Sequence, residues 1–272
     1  MKKKKIRISS IFIALCFIFF VTMFAFSLYN IIKWNIDARK TNDEIDDLVS
    51  VTSVEKIKDN QNTEIIEQNV DSSNPYWDFI KYDLINVNFN ELQEKNSDTV
   101  AWIQVNGTNI NYPVVRASDN DYYLTHSFNK SYNEAGWVFM DYRNTLEEDK
   151  NMIIYAHARL DKTMFGSLKS VIKDSWLNDS SNYVVKLSTP YENTLWQVFS
   201  VYRIPTTSDY LTTVFYDDDD FNTFTSMLIN RSIHNFNTPV NASDRILTLS
   251  TCYNNSDKVV LHAKLIKREA RN

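Results

Sequence analysis

Cys252 closes the run Ile246-Leu-Thr-Leu-Ser-Thr-Cys252, which reads as a strand carrying a thiol to its C-terminal end. The only other cysteine, Cys16, lies in a membrane-type apolar segment, so no disulfide partner exists for Cys252 in the soluble part. Nucleophilic catalysis by cysteine needs a thiolate, a group that moves protons and a donor for the oxyanion. Four histidines are available: His126, His157, His234 and His262. His157 follows the apolar strand Met152-Ile-Ile-Tyr-Ala156 and so occupies that strand's C-terminal mouth, as Cys252 does on its own strand. His262 sits mid-strand and reads as structural; His234 follows a helix and His126 a short helical turn, so both read as solvent residues. A cation would complete the set, and Lys258, Arg245 and Arg159 are candidates. Lys258 fits best, because Cys252 and Lys258 end and begin consecutive strands joined by Tyr253 to Asp257.

The elements that must position these groups are mostly short strands. Val100 to Val105 followed by Asn106-Gly107 predicts a strand and a hairpin turn. Further strands are expected at 110–115, 136–140, 151–156, 183–187, 196–202, 245–251 and 259–266, with helical stretches at 121–124, 165–169 and 221–231. Trp77 to Glu94 has helical spacing. Many short strands with few helices predict a mainly β fold, a closed or nearly closed barrel with accessory helices. The acidic run Asp217 to Asp220 reads as the N-terminal turn of a helix rather than a cation site.

The front of the chain is different. Met1 to Arg7 is strongly basic, and Ile8 to Ile32 carries no charge. At about 1.5 Å per residue, that stretch exceeds a hydrocarbon core of roughly 30 Å. A cleaved signal peptide competes with an uncleaved anchor, but the apolar run is long and no small-residue cleavage site follows it. The excess of Lys and Arg before the span places residues 1–7 in the cytoplasm and the bulk of the chain outside. Residues 33–74 are polar and acidic and read as an extracellular stalk; aromatics arrive at Pro75-Tyr-Trp-Asp-Phe-Ile80, so the globular domain is expected over 75–272. A net charge of −5 with no basic stripe gives no nucleic-acid signal. Three glycines in the whole chain exclude most phosphate-loop fingerprints, and no CxxC, HxxxH or HExxH spacing suggests a metal. No cofactor is expected.

Several segments, in order, resemble the class B sortases, membrane-anchored cysteine transpeptidases of Gram-positive bacteria. They are Asn111-Tyr-Pro-Val-Val115, Asn120-Asp-Tyr-Tyr-Leu124, Gly136-Trp-Val-Phe-Met-Asp-Tyr-Arg-Asn144, Met152-Ile-Ile-Tyr-Ala-His157, Met164-Phe-Gly166 and Thr248-Leu-Ser-Thr-Cys252, within a resemblance spanning Trp77 to Lys267. The resemblance implies an eight-stranded sortase-type barrel preceded by N-terminal helices, with a helix between its sixth and seventh strands. It implies cleavage after Thr of a C-terminal sorting signal of the type Asn-Pro-x-Thr-x, borne by a secreted protein. Cys252 would form a thioacyl intermediate, His157 would shuttle the proton, and a peptidoglycan amine would accept the chain. Asn120 and Tyr210 match groove-lining positions, and Ser250 and Thr251 are expected to help shape the groove.

Departures from the family pattern fall close to the thiol and the histidine. Lys258 occupies the family's arginine position, a flexible point charge in place of a planar fork of donors. The loop from Tyr253 to Asp257 is short for the class, and Ala156 stands where glycine is common. The competing readings are therefore a mainly hydrolytic relative, and a sortase-like domain that binds sorting signals without cutting them.

Overall fold

The computed structural model describes residues 8–67, 70, 71, 74–146 and 148–271. The basic head expected in the cytoplasm lies outside the described residues. The chain divides into two units, Met1–Asp43 and Glu44–Asn272. Helix α1 (Ile8–Val51) makes up the first and ends within the second; its apolar part is long enough to cross a membrane.

Among the described residues of the second unit, the strands in chain order are β1 (Val54–Ile57), β2 (Thr63–Ile65), β3 (Leu84–Val87), β4 (Thr99–Val105), β5 (Asn111–Val115), β6 (Phe139–Met140), β7 (Asn151–Tyr155), β8 (Val184–Ser188), β9 (Glu192–Pro205), β10 (Ile246–Cys252) and β11 (Asp257–Ala270). The helices are α2 (Tyr76–Phe79), α3 (Phe89–Lys95), α4 (Asp174–Leu177) and α5 (Asp218–Arg231). The large sheet runs β10-β7-β6-β5-β4-β8-β9-β11, and β10 also pairs β11, so eight strands close on themselves with β2 added beside β11. The expected eight-stranded barrel is what forms, and α5 lies between its sixth and seventh strands.

The hairpin β4–β5 turns through Gly107 at φ +68, where a Cβ would stand 2.2 Å from the Asn182 side-chain oxygen; glycine meets both requirements. Asp217 caps α5 by accepting from the Asp220 amide at 2.9 Å, and Asp218 to Asp220 fill its first turn, the end where negative charge is favourable.

Two stretches depart from the sequence expectation. The segment read as a stalk holds β1, which pairs β3, and β2, which pairs β11. Lys267, wholly buried on β11, ties this segment down by donating to Asp59 at 2.6 Å and to the carbonyls of Ile80 and Tyr82 at 2.6 and 2.7 Å. Its polar surface reflects strands that lie at the edge of the domain. The helical spacing over Trp77 to Glu94 resolves into two short helices with β3 between them.

Strand alternation divides the core. Leu247, Leu249, Val259, Leu261 and Ala263 join the main core, whereas Ile246 and Val260 pack with Phe199, Tyr202, Tyr210, Phe221, Phe224 and Leu228 on the other face. His262 belongs to that second face and is fully buried, bonded through Nε2 to the Tyr202 hydroxyl (2.8 Å) and through Nδ1 to the Thr248 hydroxyl (2.9 Å). Burial first, and then the nearby Arg231 charge, push its pKa from 6.5 down to about 3. The unfolded chain thus binds a proton near pH 6.5 that the folded chain refuses until about pH 3. Its stabilising effect is complete above pH 6.5 and is lost as pH falls through that window. Melting curves of wild type and His262→Gln between pH 7 and 4 should converge, with a slope difference approaching about 1.4 kcal/mol per pH unit; parallel curves would contradict this.

Candidate functional site

The same alternation decides where Cys252 points. Thr248, Ser250 and Cys252 share the face of β10 that looks away from the main core, opposite His262, Val260 and Lys258 of β11. Cys252 and Lys258 are direct cross-strand partners, and the lysine Nζ stands 3.0 Å from the cysteine Sγ. The strand ends therefore meet as the short connection implied. Both residues are half-buried, accessible at the strand end rather than sealed in the core.

His157 is placed by the other neighbour of β10. The parallel pairing with β7 runs from Ile246↔Asn151 to Ser250↔Tyr155. The Thr251 hydroxyl carries it one step further by donating to the Ala156 carbonyl at 2.7 Å. Continued one residue more, the register sets Cys252 abreast of His157. The imidazole is oriented by its Nε2, which donates to the Leu124 carbonyl at 2.8 Å. A carbonyl can only accept, so Nε2 carries the hydrogen and Nδ1 is the nitrogen with a lone pair in the neutral ring. The backbone is fixed too, since the Phe165 amide donates to the His157 carbonyl at 3.0 Å.

Leu124 ends a single 3-10 turn, Tyr122–Leu124, and Gly136 allows the close approach beside it. At φ +60, a Cβ on Gly136 would come within 2.5 Å of the Tyr123 carbonyl, 2.9 Å of the Leu124 carbonyl and 3.1 Å of the His157 ring.

Asn120 and Tyr210, expected to line a groove, are each held by hydrogen bonds. The Asn120 amide donates to Asp141 at 3.1 Å and accepts from the Tyr142 backbone at 3.0 Å. Tyr210 is buried, with its hydroxyl 2.9 Å from that of Ser250, and burial raises its pKa. Thr251 points toward Ala156, on the opposite face of the strand from Ser250. Three residues of this region were not legible as site residues. Asp141 is wholly buried: burial pushes its carboxyl up, but hydrogen bonds from the Arg143 side chain and backbone and from Tyr155 outweigh that and hold it below the usual range. Tyr155 is raised, by burial and then by the charge of Asp141. Arg143 and Asp141 both stand in the segment singled out in the sequence, but nothing in a single sequence marks an aspartate as buried.

The other candidate cations are paired with carboxylates of their own. Arg245 precedes β10, about 20 Å from Cys252 along the strand, and pairs with Glu192 at 2.9 Å. Arg159 pairs with Asp161 at 3.1 Å. His234 and His126, expected in solvent, have partners: His234 bonds the Tyr183 hydroxyl at 3.1 Å, and His126 stacks on Tyr122 at 4.1 Å. A cavity of about 450 Å³ borders Lys264, well along β11 from Lys258, and includes none of these site residues. Among the described residues, no cluster of His, Cys, Asp and Glu has the makings of a metal centre.

Gly136→Ala is expected to destabilise the fold by roughly 1–3 kcal/mol through backbone strain and the carbonyl contacts, read as a lowered melting temperature. An unchanged melting temperature would show that the Leu124 turn yields freely.

The family model described as the sortase domain matches residues 103–266. The chain is 36% identical over 184 residues to sortase B of Staphylococcus aureus, covering 66% of this chain and 75% of that protein. The solved structure of sortase B from Bacillus anthracis superposes with a TM-score of 0.67 at 31% identity, over 85% of this chain and 99% of that one. A Staphylococcus aureus sortase B–substrate complex and a sortase B complexed with triglycine both superpose with TM-scores of 0.62 at 35% identity. These cover 66% of this chain in each case, and 84% and 85% of those chains respectively.

Proposed function

The chain belongs to the sortase family of cysteine transpeptidases, and within it to class B; from that premise we propose that it cleaves an Asn-Pro-x-Thr-x type signal near the C-terminus of a secreted protein and joins the new end to a peptidoglycan amine. The observation that carries this reading is the meeting of Cys252, Lys258 and, by register, His157 at one end of β10. The sortase B structures solved with a substrate and with triglycine support a peptide donor and an amine acceptor of this kind.

In the proposed reaction, the Cys252 thiol gives its proton to Nδ1 of His157, and the resulting thiolate attacks the threonine carbonyl carbon. Lys258, already 3.0 Å from the sulfur, donates to the oxygen as it gains charge. His157 then gives a proton from Nδ1 to the departing amine, the C–N bond breaks, and a thioester remains on Cys252. The incoming amine loses its proton to His157, attacks the thioester and releases the thiolate. The Leu124 carbonyl holds Nε2 throughout and so keeps Nδ1 as the working nitrogen. Asn120, Tyr210 and Ser250 form the groove for the signal in this reading, whereas Thr251, expected there from the sequence, faces the other side of β10 and bonds the Ala156 carbonyl. Helix α1 anchors the enzyme with its N-terminus in the cytoplasm and the catalytic unit outside, a placement supported by its apolar length and the basic head.

A second reading, a mainly hydrolytic or binding-only domain, rests on Lys258 standing where the family carries arginine. Turnover of an Asn-Pro-Gln-Thr-Asn peptide with and without triglycine separates the readings. Transpeptidation predicts a triglycine-ligated product; hydrolysis alone, or no cleavage by folded protein, favours the second. Cys252→Ala is expected to abolish turnover. His157→Ala is expected to lower kcat/KM by about 10²–10⁴-fold, and Lys258→Met by about 10²–10³-fold. Turnover by Cys252→Ala would overturn the mechanism.

A further inference from the structure

Asp141 follows β6, is wholly buried, and collects donors from three directions. Its Oδ1 accepts from the Arg143 backbone at 3.0 Å and from Arg143 Nε at 2.8 Å. Its Oδ2 accepts from Arg143 Nη2 at 2.7 Å, the Tyr155 hydroxyl at 2.8 Å and the Asn120 amide at 3.1 Å. Burying a carboxylate is unfavourable unless it is paired and fully hydrogen-bonded, and an apolar side chain would serve packing alone at least as well.

Each donor comes from a different stretch of the chain. Tyr155 ends β7, two residues before His157. Asn120 stands just ahead of the turn whose Leu124 carbonyl holds that histidine. Asn120 uses one of its two amide hydrogens on Asp141, and no partner for the other is found among the described residues. Arg143 reaches across to the β9–α5 connection, where its Nη2 also donates to the Leu211 carbonyl at 3.0 Å.

That connection is pinned residue by residue. Asp209 is gripped by Arg231 at 2.9 and 2.6 Å, and Tyr210 by Ser250 at 2.9 Å. Leu211 is held by Arg143, and Thr212 by the Asn151 amide at 2.9 Å. Among these anchors, Asn151 ties the connection to the start of β7, and Arg143 leads back to Asp141, and through it to Asn120 and to Tyr155 at the end of β7.

We propose that Asp141 is the positioning residue that holds the Asn120 wall and the Tyr210–Leu211 wall of the groove in one geometry, and thereby sets the affinity for the peptide signal. This rests on the peptide-cleaving reading above. Asp141 does not touch the reacting groups, so its loss should loosen the groove while leaving the thiol, lysine and histidine in place.

The test is steady-state turnover of the Asn-Pro-Gln-Thr-Asn peptide by the full chain, with alkylation of Cys252 by iodoacetamide measured alongside. Asp141→Asn keeps the shape but removes the charge; it should raise KM about tenfold while kcat and the alkylation rate stay within about threefold of wild type. Arg143→Gln alters a partly exposed side chain outside the core, and should raise KM in the same direction. The double variant should be no worse than the more impaired single one, because both act through one link. Wild-type KM in Arg143→Gln, or a fall in kcat and alkylation rate with KM unchanged, would overturn the proposal while leaving the peptide-cleaving reading intact. Absence of turnover by the wild type would overturn that reading, and this proposal with it.

Discussion

The parallel pairing of β7 with β10 is the constraint on which the site depends. Side chains alternate along each strand, so a slip of one residue between β7 and β10 would turn either Cys252 or His157 to the other face. The register instead keeps Met152 and Ile154 abreast of Leu247 and Leu249 in the main core, and leaves His157 and Cys252 together on the far side. The buried apolar residues thus set the position of the polar ones. Closure of the barrel through β10–β11 adds Lys258 by the same logic, since the pairing that buries Val259 and Leu261 leaves Lys258 facing the thiol.

A second layer of polar contacts refines what the register places. The Leu124 carbonyl selects the imidazole tautomer, Gly136 gives that carbonyl room, and Asp141 accepts from Tyr155 of β7, from Asn120 and from Arg143, which itself bonds Leu211 in the β9–α5 connection. His262, in contrast, is a structural histidine, locked between Tyr202 and Thr248 and kept neutral by burial. Its position mid-strand and that of His157 at a strand end already separate the two in the sequence.

Much of the architecture was legible for a physical reason: short apolar strands with turn signals carry period-two patterns, and β4, β7, β10 and β11 showed them within a residue or a few of their observed ends. Cys252 and Lys258 were legible as a pair because a five-residue connection between consecutive strands leaves little freedom. The polar stretch 33–74, read as a stalk, misled in its part beyond α1, because β1 and β2 are edge strands whose polarity resembles that of a linker, and their partners, β3 and β11, lie far along the chain. The helical spacing of Trp77 to Glu94 hid β3, which is only four residues long. Asp141 escaped notice because its burial is a property of the closed barrel, and no local pattern encodes it. His234 gained its partner for the same reason, from Tyr183 far away in the chain, whereas His126 stacks on Tyr122 only four residues before it.

The central claim is that Cys252, at the meeting of β7, β10 and β11, forms a covalent bond with the carbonyl carbon of a peptide. Intact mass of the chain after brief incubation with the Asn-Pro-Gln-Thr-Asn peptide, in the absence of an amine acceptor, tests it directly. The account predicts a gain equal to the peptide cut after threonine, located on Cys252, removed by hydroxylamine and absent from Cys252→Ala. Cleaved peptide with no adduct on the wild-type chain, or the same adduct on Cys252→Ala, would contradict it.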